Sequence, residues 1–254
     1  MNKIVLITGA TSGFGKAMAE KFAANNYNCI VTGRRKDKLQ ETANEIESLF
    51  KVSVLPLVFD VQDKESVKES IEGLPKEWQA IDVLINNAGL ALGRDSIENG
   101  HLEDWDTMID TNLKGLLYVS KAVIPLMKEK KHGHIINLGS TAAKDAYQGG
   151  NVYCATKAAV DMLSKNMRID LLPYKIKVTC IHPGAAETDF SKIRFKGDEE
   201  KAANVYAGYQ PLVAADVADI AFYCASLPSH VCINDLVVSC TSQANATSLF
   251  KEAV

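Results

Sequence analysis

The sequence feature that most constrains the fold is a glycine-rich segment, TGATSGFG at residues 8–15, between a β-branched run and an amphipathic stretch. The run at 3–8 has the composition of a buried strand, and residues 14–25 carry apolar side chains at helical spacing. Glycine at 9 permits a tight turn, glycine at 13 allows a ligand to approach, and glycine at 15 allows close helix packing. Because a helix N-terminus attracts anions, this arrangement predicts a pyrophosphate-binding loop. A structural turn without a ligand is the alternative.

Short β-branched runs alternate with longer amphipathic stretches along the whole chain, which predicts βαβ units. After the strand at 3–8, further strands are predicted at residues 29–32, 52–59, 81–86, 134–138, 175–181 and 236–239. Since parallel strands need right-handed crossovers, we expect an α/β fold with a Rossmann-like, doubly wound parallel sheet of about seven strands. No linker interrupts the chain, so residues 1–254 are expected to form a single domain. The charged segment 190–203 is the candidate lid or substrate loop.

Composition excludes several classes of partner. A formal net charge of −3, from 28 basic and 31 acidic residues, gives no broad positive field for a nucleic acid. We find no apolar run of about 18 residues to span a membrane, and the first predicted strand leaves no room for a leader peptide. The six cysteines include no C-x-x-C pair and the five histidines are scattered, so we expect neither disulfides nor a metal site. These features favour a cytoplasmic protein that acts on small molecules.

The second predicted strand ends in two arginines, Arg34 and Arg35, about 20 residues beyond the glycine-rich segment. Nucleotide sites that prefer NAD usually place an acidic residue here, on the ribose 2′-hydroxyl. Two guanidinium groups can instead hold a 2′-phosphate through charge-assisted, often bidentate hydrogen bonds. The pair therefore favours NADP as the cofactor, with a solvated surface pair as the alternative.

A second group of polar residues provides candidates for acid/base catalysis and for substrate binding. Tyr153 and Lys157 are four residues apart near the start of a predicted helix, so their side chains can meet on one face. A neighbouring ammonium favours the phenolate and lowers the phenol pKa from its reference value of about 10. Ser140 follows the strand at 134–138, at the sheet edge where such folds bind ligands, and Asn112 lies within a helical stretch that amides do not prefer. A helix cap at Ser140 and a structural amide at Asn112 are the alternatives.

Together these motifs resemble the short-chain dehydrogenase/reductase family along essentially the whole chain. The shared features are T-G-x-x-x-G-x-G at 8–15, N-N-A-G at 86–89, Asn112, Ser140, Y-x-x-x-K at 153–157 and P-G-x-x-x-T at 183–188. The resemblance implies that Tyr153 is the general acid/base and that Ser140 orients the carbonyl. It implies that Lys157 holds the cofactor ribose and lowers the pKa of Tyr153, while Asn112 anchors a proton-relay water.

The same resemblance implies a set of residues that bind NADP. They are Gly9, Thr11, Ser12, Gly13, Phe14, Gly15, Arg34, Arg35, Asp60, Val61, Asn87, Tyr153, Lys157, Pro183, Gly184 and Thr188. Within this set, Asp60 and Val61 would flank the adenine, Asn87 the adenosine ribose and Thr188 the nicotinamide carboxamide. The helices near 103–130 and 151–172 resemble those that pair subunits in the family, which implies a homotetramer.

Further segments resemble NADP-dependent dehydrogenases of short 3-hydroxy acids. They are N-A-G-L-A-L-G at 87–93, E-D-W at 103–105, H-G-H-I-I-N at 132–137, and F-S at 190–191 with R-F-K-G-D at 194–198. This resemblance implies a substrate such as serine, L-allo-threonine, 3-hydroxyisobutyrate or 3-hydroxypropionate. Its carboxylate needs a cation or a donor, for which Arg194, Lys144 and Gln148 are candidates beside Ser140. Alanines at 143, 185 and 186 depart from the pattern and should alter the pocket's shape.

Two other functions stay open on the sequence alone. The first is a reductase of the same fold for another carbonyl, such as a 3-oxoacyl thioester, a sugar or an apolar ketone. The second is a catalytically idle dinucleotide-sensing protein, which the combination of Ser140, Tyr153 and Lys157 argues against. For an active enzyme, we expect the Tyr153 phenolate to remove the hydroxyl proton during oxidation and the phenol to return it during reduction.

Overall fold

A computed structural model describes residues 2–252 of the chain and centres on a parallel β-sheet. The strands are β1 (Ile4–Ile7), β2 (Asn28–Gly33), β3 (Val54–Val58), β4 (Ile81–Asn86), β5 (Gly133–Leu138), β6 (Ile176–Pro183), β7 (Ala186–Glu187), β8 (Leu212–Val213) and β9 (Asp235–Val238). Seven of them form one sheet in the order β3-β2-β1-β4-β5-β6-β9, and every pairing in it is parallel. This sheet confirms the predicted Rossmann-like, doubly wound fold.

Helices cover both faces of the sheet. They are α1 (Gly13–Ala24), α2 (Lys36–Phe50), α3 (Lys64–Glu72), α4 (Leu102–Ile109), α5 (Leu116–Lys130), α6 (Asn151–Asp170), α7 (Phe190–Arg194), α8 (Glu199–Asn204) and α9 (Ala214–Ser226). Helices α1, α2 and α9 pack on one face, where Phe22 is fully buried, and α3 and α5 pack on the other, around Val119. The strands are apolar on both faces because successive side chains point to opposite helix layers.

The predicted strands agree with the observed ones to within two residues at either end. The two-residue strands β7 and β8, which pair in a small separate sheet, were not predicted because they are too short to show a periodicity. The predicted lid at 190–203 folds as α7 and most of α8. Residues 1, 253 and 254, part of the predicted domain, lie outside the described residues.

Because the strands are parallel, the loops that follow them gather at one edge of the sheet. The glycine-rich segment follows β1, Arg34 follows β2, Asp60 follows β3 and Ser140 follows β5. The fold therefore brings together residues that are far apart in sequence. Within residues 2–252, none of the helices combines the length and the apolar character needed to cross a bilayer.

Candidate active site

A cavity of about 980 Å³ lies at the carboxyl edge of the sheet. Most of the residues implicated by sequence line it: Gly9, Thr11, Ser12, Gly13, Phe14, Arg34, Arg35, Asp60, Val61, Asn87, Ser140, Tyr153, Lys157, Pro183, Gly184, Thr188 and Arg194. Four of them do not line it: Gly15, Asn112, Lys144 and Gln148. The cavity is thus continuous from the glycine-rich segment to Tyr153.

The glycine-rich segment is shaped by tight backbone contacts. Gly9 has φ +66° and Gly13 has φ +50°, conformations that favour glycine. A Cβ on Gly15 would collide with the carbonyl oxygen of Gly9 and would lie 2.6 Å from Nδ2 of Asn87. That amide nitrogen donates to the carbonyl oxygens of Thr8 at 2.8 Å and Gly9 at 3.1 Å, so it stabilises the backbone of the loop. Gly15 therefore acts through packing rather than through contact with the cavity.

The first turn of α1 faces the cavity with backbone donors available. Ser12, the residue before the helix, makes no capping hydrogen bond with its side chain to the described residues. The first N–H groups of a helix have no partner within the helix, and the dipole leaves positive potential there. A pyrophosphate fits this end of the cavity because its oxygens can accept from these groups.

Two guanidinium groups border the cavity beyond the glycine-rich segment. Nη2 of Arg35 donates to Oγ1 of Thr11 at 3.1 Å, which places the group over the loop. Nη1 of Arg34 lies 3.4 Å from Oδ2 of Asp60, and the Arg34 side chain is 63% exposed. This ion pair is long and solvated, so it leaves most of the donors of Arg34 free. The pair suits a phosphate on the adenosine ribose.

Tyr153, Lys157 and Ser140 converge at the other end of the cavity. Tyr153 and Lys157 are one turn apart on α6, with Nζ of Lys157 5.9 Å from the centre of the phenol ring. Nζ also donates to the carbonyl oxygen of Leu138 at 2.8 Å, which ties α6 to the end of β5. Oγ of Ser140 accepts from the N–H of Ala142 at 3.1 Å, so Ser140 is also the predicted helix cap.

Burial dominates the electrostatics of this cluster. Burial raises the pKa of Tyr153 above its usual value, while the Ser140 hydroxyl and the Arg194 guanidinium act in the opposite direction. Burial lowers the pKa of Lys157 to about 8, because few neighbouring charges compensate for the lost hydration of its ammonium. Burial, and not the charge of Lys157, therefore dominates the pKa of Tyr153. A phenol that stays protonated at neutral pH can donate to a carbonyl oxygen.

Asn112 supports the site from outside the cavity. It lies in a π-helical turn, Asp110–Gly115, between α4 and α5. Its Oδ1 accepts from the N–H of Leu90 at 2.8 Å, and its Nδ2 donates to the Leu90 carbonyl at 2.8 Å and to Oγ1 of Thr156 at 3.1 Å. These bonds join the loop after β4 to the helix that carries Tyr153. They agree with the structural alternative, and the anchoring of a relay water stays a prediction.

Arg194 brings a positive charge next to Tyr153. Its guanidinium carbon lies 5.6 Å from the centre of the Tyr153 ring and 5.4 Å from that of Tyr147. Nε donates to the carbonyl oxygen of Gly93 at 3.2 Å, but Nη2 is buried and has no hydrogen-bond partner among the described residues. Because Arg194 lines the cavity beside Tyr153, its guanidinium can attract an anionic ligand bound there.

Sequence reasoning missed two neighbours of Arg194. Tyr147 lines the cavity, and the guanidinium of Arg94 lies 5.6 Å from its ring centre. Neither residue belongs to a recognisable motif. The only available signal was their location in loops that follow strands at the binding edge.

Lys144, a candidate for contact with the substrate carboxylate, does not line the cavity. Its Nζ donates to Asp161 at 3.1 Å and Asp235 at 2.8 Å, on the side of the 140–144 turn away from the cavity. Gln148 also lies outside the cavity lining, and its carbonyl oxygen is 3.5 Å from Nε of Arg94. The two carboxylates stabilise the Lys144 ammonium on this side of the turn.

A parallel α/β sheet with a glycine turn at one end of its cavity and a Ser-Tyr-Lys cluster at the other defines a dinucleotide-dependent oxidoreductase class. The sequence model of the family described as short chain dehydrogenase matches residues 3–199. The chain belongs to the short-chain dehydrogenase family.

Individual relatives extend the similarity over nearly the whole chain. An NADP-dependent 3-hydroxy acid dehydrogenase of Salmonella typhi is 46% identical over 244 residues, covering 96% of this chain and 97% of that protein. One of Schizosaccharomyces pombe is 41% identical over 251 residues, covering 98% and 97%. The solved closed form of a serine dehydrogenase with NADP⁺ superimposes with a TM-score of 0.91 at 44% identity, covering 98% of this chain and all 100% of that one.

Proposed function

We propose that this enzyme is an NADP-dependent dehydrogenase of short 3-hydroxy acids, in the class of serine, L-allo-threonine, 3-hydroxyisobutyrate and 3-hydroxypropionate. The observation that carries the proposal is the unpartnered Nη2 of Arg194, held beside the Tyr153 ring. If the hydroxyl of a 3-hydroxy acid is bound to Tyr153, the carboxylate of the same substrate, two carbons from the carbinol carbon, would lie within reach of this guanidinium. Relatives described as 3-hydroxy acid dehydrogenases support the same substrate class.

The residues of the cavity fit NADP. The first turn of α1 would hold the pyrophosphate, Arg34 and Arg35 the 2′-phosphate, and Asp60 and Val61 the adenine. Asn87 would lie beside the adenosine ribose. Thr188 and the Pro183–Gly184 turn would lie beside the nicotinamide. NADP, when bound, supplies or accepts the hydride, and the protein contributes orientation and proton transfer.

Tyr153 would move the proton at the reacting oxygen. In reduction its phenol donates to the carbonyl oxygen, and in oxidation its phenolate accepts the proton of the substrate hydroxyl. The Ser140 hydroxyl would orient the same oxygen, and the Lys157 ammonium would favour the phenolate and hold the nicotinamide ribose. The position of Tyr153 against Phe190, with 5.6 Å between ring centres, would keep water from the reacting atoms.

Three broader features belong to the same proposal. Segment 190–203 would act as a lid, since α7 within it carries Arg194 over the cavity. Four chains would form a homotetramer through helices near 103–130 and 151–172, where Met162 is 55% and Ile169 is 70% exposed. The free cysteines among the described residues suit a reducing, cytoplasmic compartment.

A substrate screen that follows NADPH absorbance tests the function. We expect turnover of several of the four 3-hydroxy acids, and much weaker turnover of neutral secondary alcohols of the same size. Tyr153→Phe should lower kcat by at least about a hundredfold while the affinity for NADPH stays within a few fold, because the phenol acts on a proton. Preference for thioesters, sugars or apolar ketones would favour another reductase, and NADPH binding without any turnover would favour a sensor.

A further inference from the structure

An ionic cluster that extends from the buried His182 and Asp161 to the surface lies directly behind Ser140, on the side away from the cavity. Its members are His182 near the end of β6, Asp161 on α6, Asp235 at the start of β9, and Lys144 after the Ser140 turn. Cys180 adjoins it, with its sulfur within 4.8 Å of the nearest ligand atoms of Asp161 and His182. None of these side chains has a part in the proposed proton transfer. Their position nevertheless connects three elements to the turn that carries Ser140.

The His182 ring is packed against the backbone of Ser140. It is fully buried, and its Nδ1 lies 3.1 Å from the carbonyl oxygen and 3.4 Å from the amide nitrogen of Ser140. A Cβ on Gly139 would collide with Nδ1 and would lie 2.7 Å from Cε1. The ring therefore occupies the space beside the Gly139–Ser140 peptide and limits where that peptide can move.

The surroundings of the ring keep it neutral and direct its Nδ1 at the backbone of Ser140. Burial and the Lys144 ammonium lower the pKa of His182, which leaves a neutral ring with a single N–H. With its proton on Nδ1 the ring donates to the Ser140 carbonyl at 3.1 Å, and with its proton on Nε2 the ring accepts through Nδ1 from the Ser140 N–H at 3.4 Å. Nε2 is 3.6 Å from Asp161 and 3.4 Å from Asp235 and has no hydrogen-bond partner among the described residues. In either tautomer Nδ1 forms its hydrogen bond with the backbone of Ser140.

The other end of the Ser140 turn is held by charge. Lys144 follows the turn Thr141–Ala143, and its Nζ bridges Asp161 at 3.1 Å and Asp235 at 2.8 Å. Asp161 also accepts from Lys165 at 3.0 Å, and it lies one turn beyond Lys157 on α6. One network thus fixes the turn of Ser140 to the helix that carries the proton-transfer tyrosine.

We propose that His182 is a positioning residue that sets the place of the Ser140 hydroxyl relative to Tyr153 through the hydrogen bond of its Nδ1 with the Ser140 backbone. Lys144, Asp161 and Asp235 anchor the far end of the turn. The inference rests on the proposed role of Ser140 in orienting the substrate oxygen. Displacement of a hydroxyl by a fraction of an ångström is enough to slow a reaction that depends on alignment.

Paired substitutions at His182 separate this role from general packing. Asparagine places an amide donor near the position of Nδ1, whereas glutamine places its amide near the position of Nε2. We expect His182→Asn to keep kcat within about threefold of wild type, and His182→Gln and His182→Ala to lose at least about tenfold. Affinity for NADPH, from fluorescence titration, should change by less than about twofold in all three, because none of the cluster's side chains lines the cavity.

The outcomes are distinguishable from those of the proposed function. A glutamine variant as fast as the asparagine variant, or kcat losses that only follow the losses in Tm, would overturn the inference. If His182→Ala does not fold, the comparison of asparagine with glutamine still decides it. Crystal structures of these two variants provide a readout without turnover: Ser140 should be displaced with glutamine and unmoved with asparagine. A wild-type enzyme inactive on every substrate would refute the proposed function, and the crystallographic comparison would still test the role of His182.

Discussion

Replacing Arg194 with methionine tests how the enzyme recognises an acid. Methionine keeps the apolar stem beside Tyr147 and Tyr153 and removes the guanidinium. A hydrogen bond to a charged group contributes about 1.5–3 kcal/mol, and every 1.4 kcal/mol is about tenfold in an equilibrium constant. Because Nη2 of Arg194 is buried, water cannot fully replace it, so we take about 2 kcal/mol, or about a 30-fold loss.

The assay compares an acid with its neutral ester. We expect the ratio of kcat/KM for 3-hydroxypropionate to that for its methyl ester to fall about 30-fold in Arg194→Met, with kcat/KM for the ester within about threefold. Arg94→Met is the matched control, since its guanidinium also lies over Tyr147 but is exposed and screened by solvent. Its ratio should change by less than about threefold.

Either of two results would refute the reasoning. An unchanged ratio in both variants would remove the guanidinium from carboxylate recognition. A fall in Arg94→Met alone would transfer that role to the exposed arginine. A parallel loss of both activities in Arg194→Met would point to a defect in the lid, because Arg194 also donates to the carbonyl oxygen of Gly93.

Three further predictions follow from the rest of the site. Arg34→Asp should raise the Kd for NADPH by at least about tenfold and that for NADH by less than about threefold, measured by fluorescence titration; equal changes would contradict a contact with the 2′-phosphate. The kcat/KM for reduction should decline as the pH rises through about 8, because the buried Lys157 loses its ammonium there while Tyr153, with its raised pKa, stays protonated. A pH profile of kcat/KM that stays flat well above pH 8 would exclude a role for the Lys157 charge. Gly15→Ala should lower the free energy of unfolding by about 1–3 kcal/mol in denaturant titrations, because its Cβ meets the Gly9 carbonyl, and unchanged stability would show that the loop can relax.

The candidate site was predictable where a motif has a fixed place in the fold. Gly9, Ser140 and Tyr153 follow or face the carboxyl ends of parallel strands, so their convergence could be expected from order and spacing. The location of Lys144 was not predictable, because the sequence does not tell which side of a turn a lysine takes. Its ammonium faces Asp161 and Asp235, which come from α6 and β9, and only the folded chain brings those carboxylates together.

The sequence by itself determined the doubly wound sheet, the glycine turn before α1 and the pair of arginines that follows β2. These depend on periodicity, glycine geometry and residue type within short segments, which are local properties. Only the tertiary structure decided that burial governs the pKa of Tyr153 and Lys157, that Arg194 keeps a buried donor free, and that His182 supports Ser140. Burial and pairing depend on which distant groups exclude water from a side chain, and spacing along the chain does not specify that.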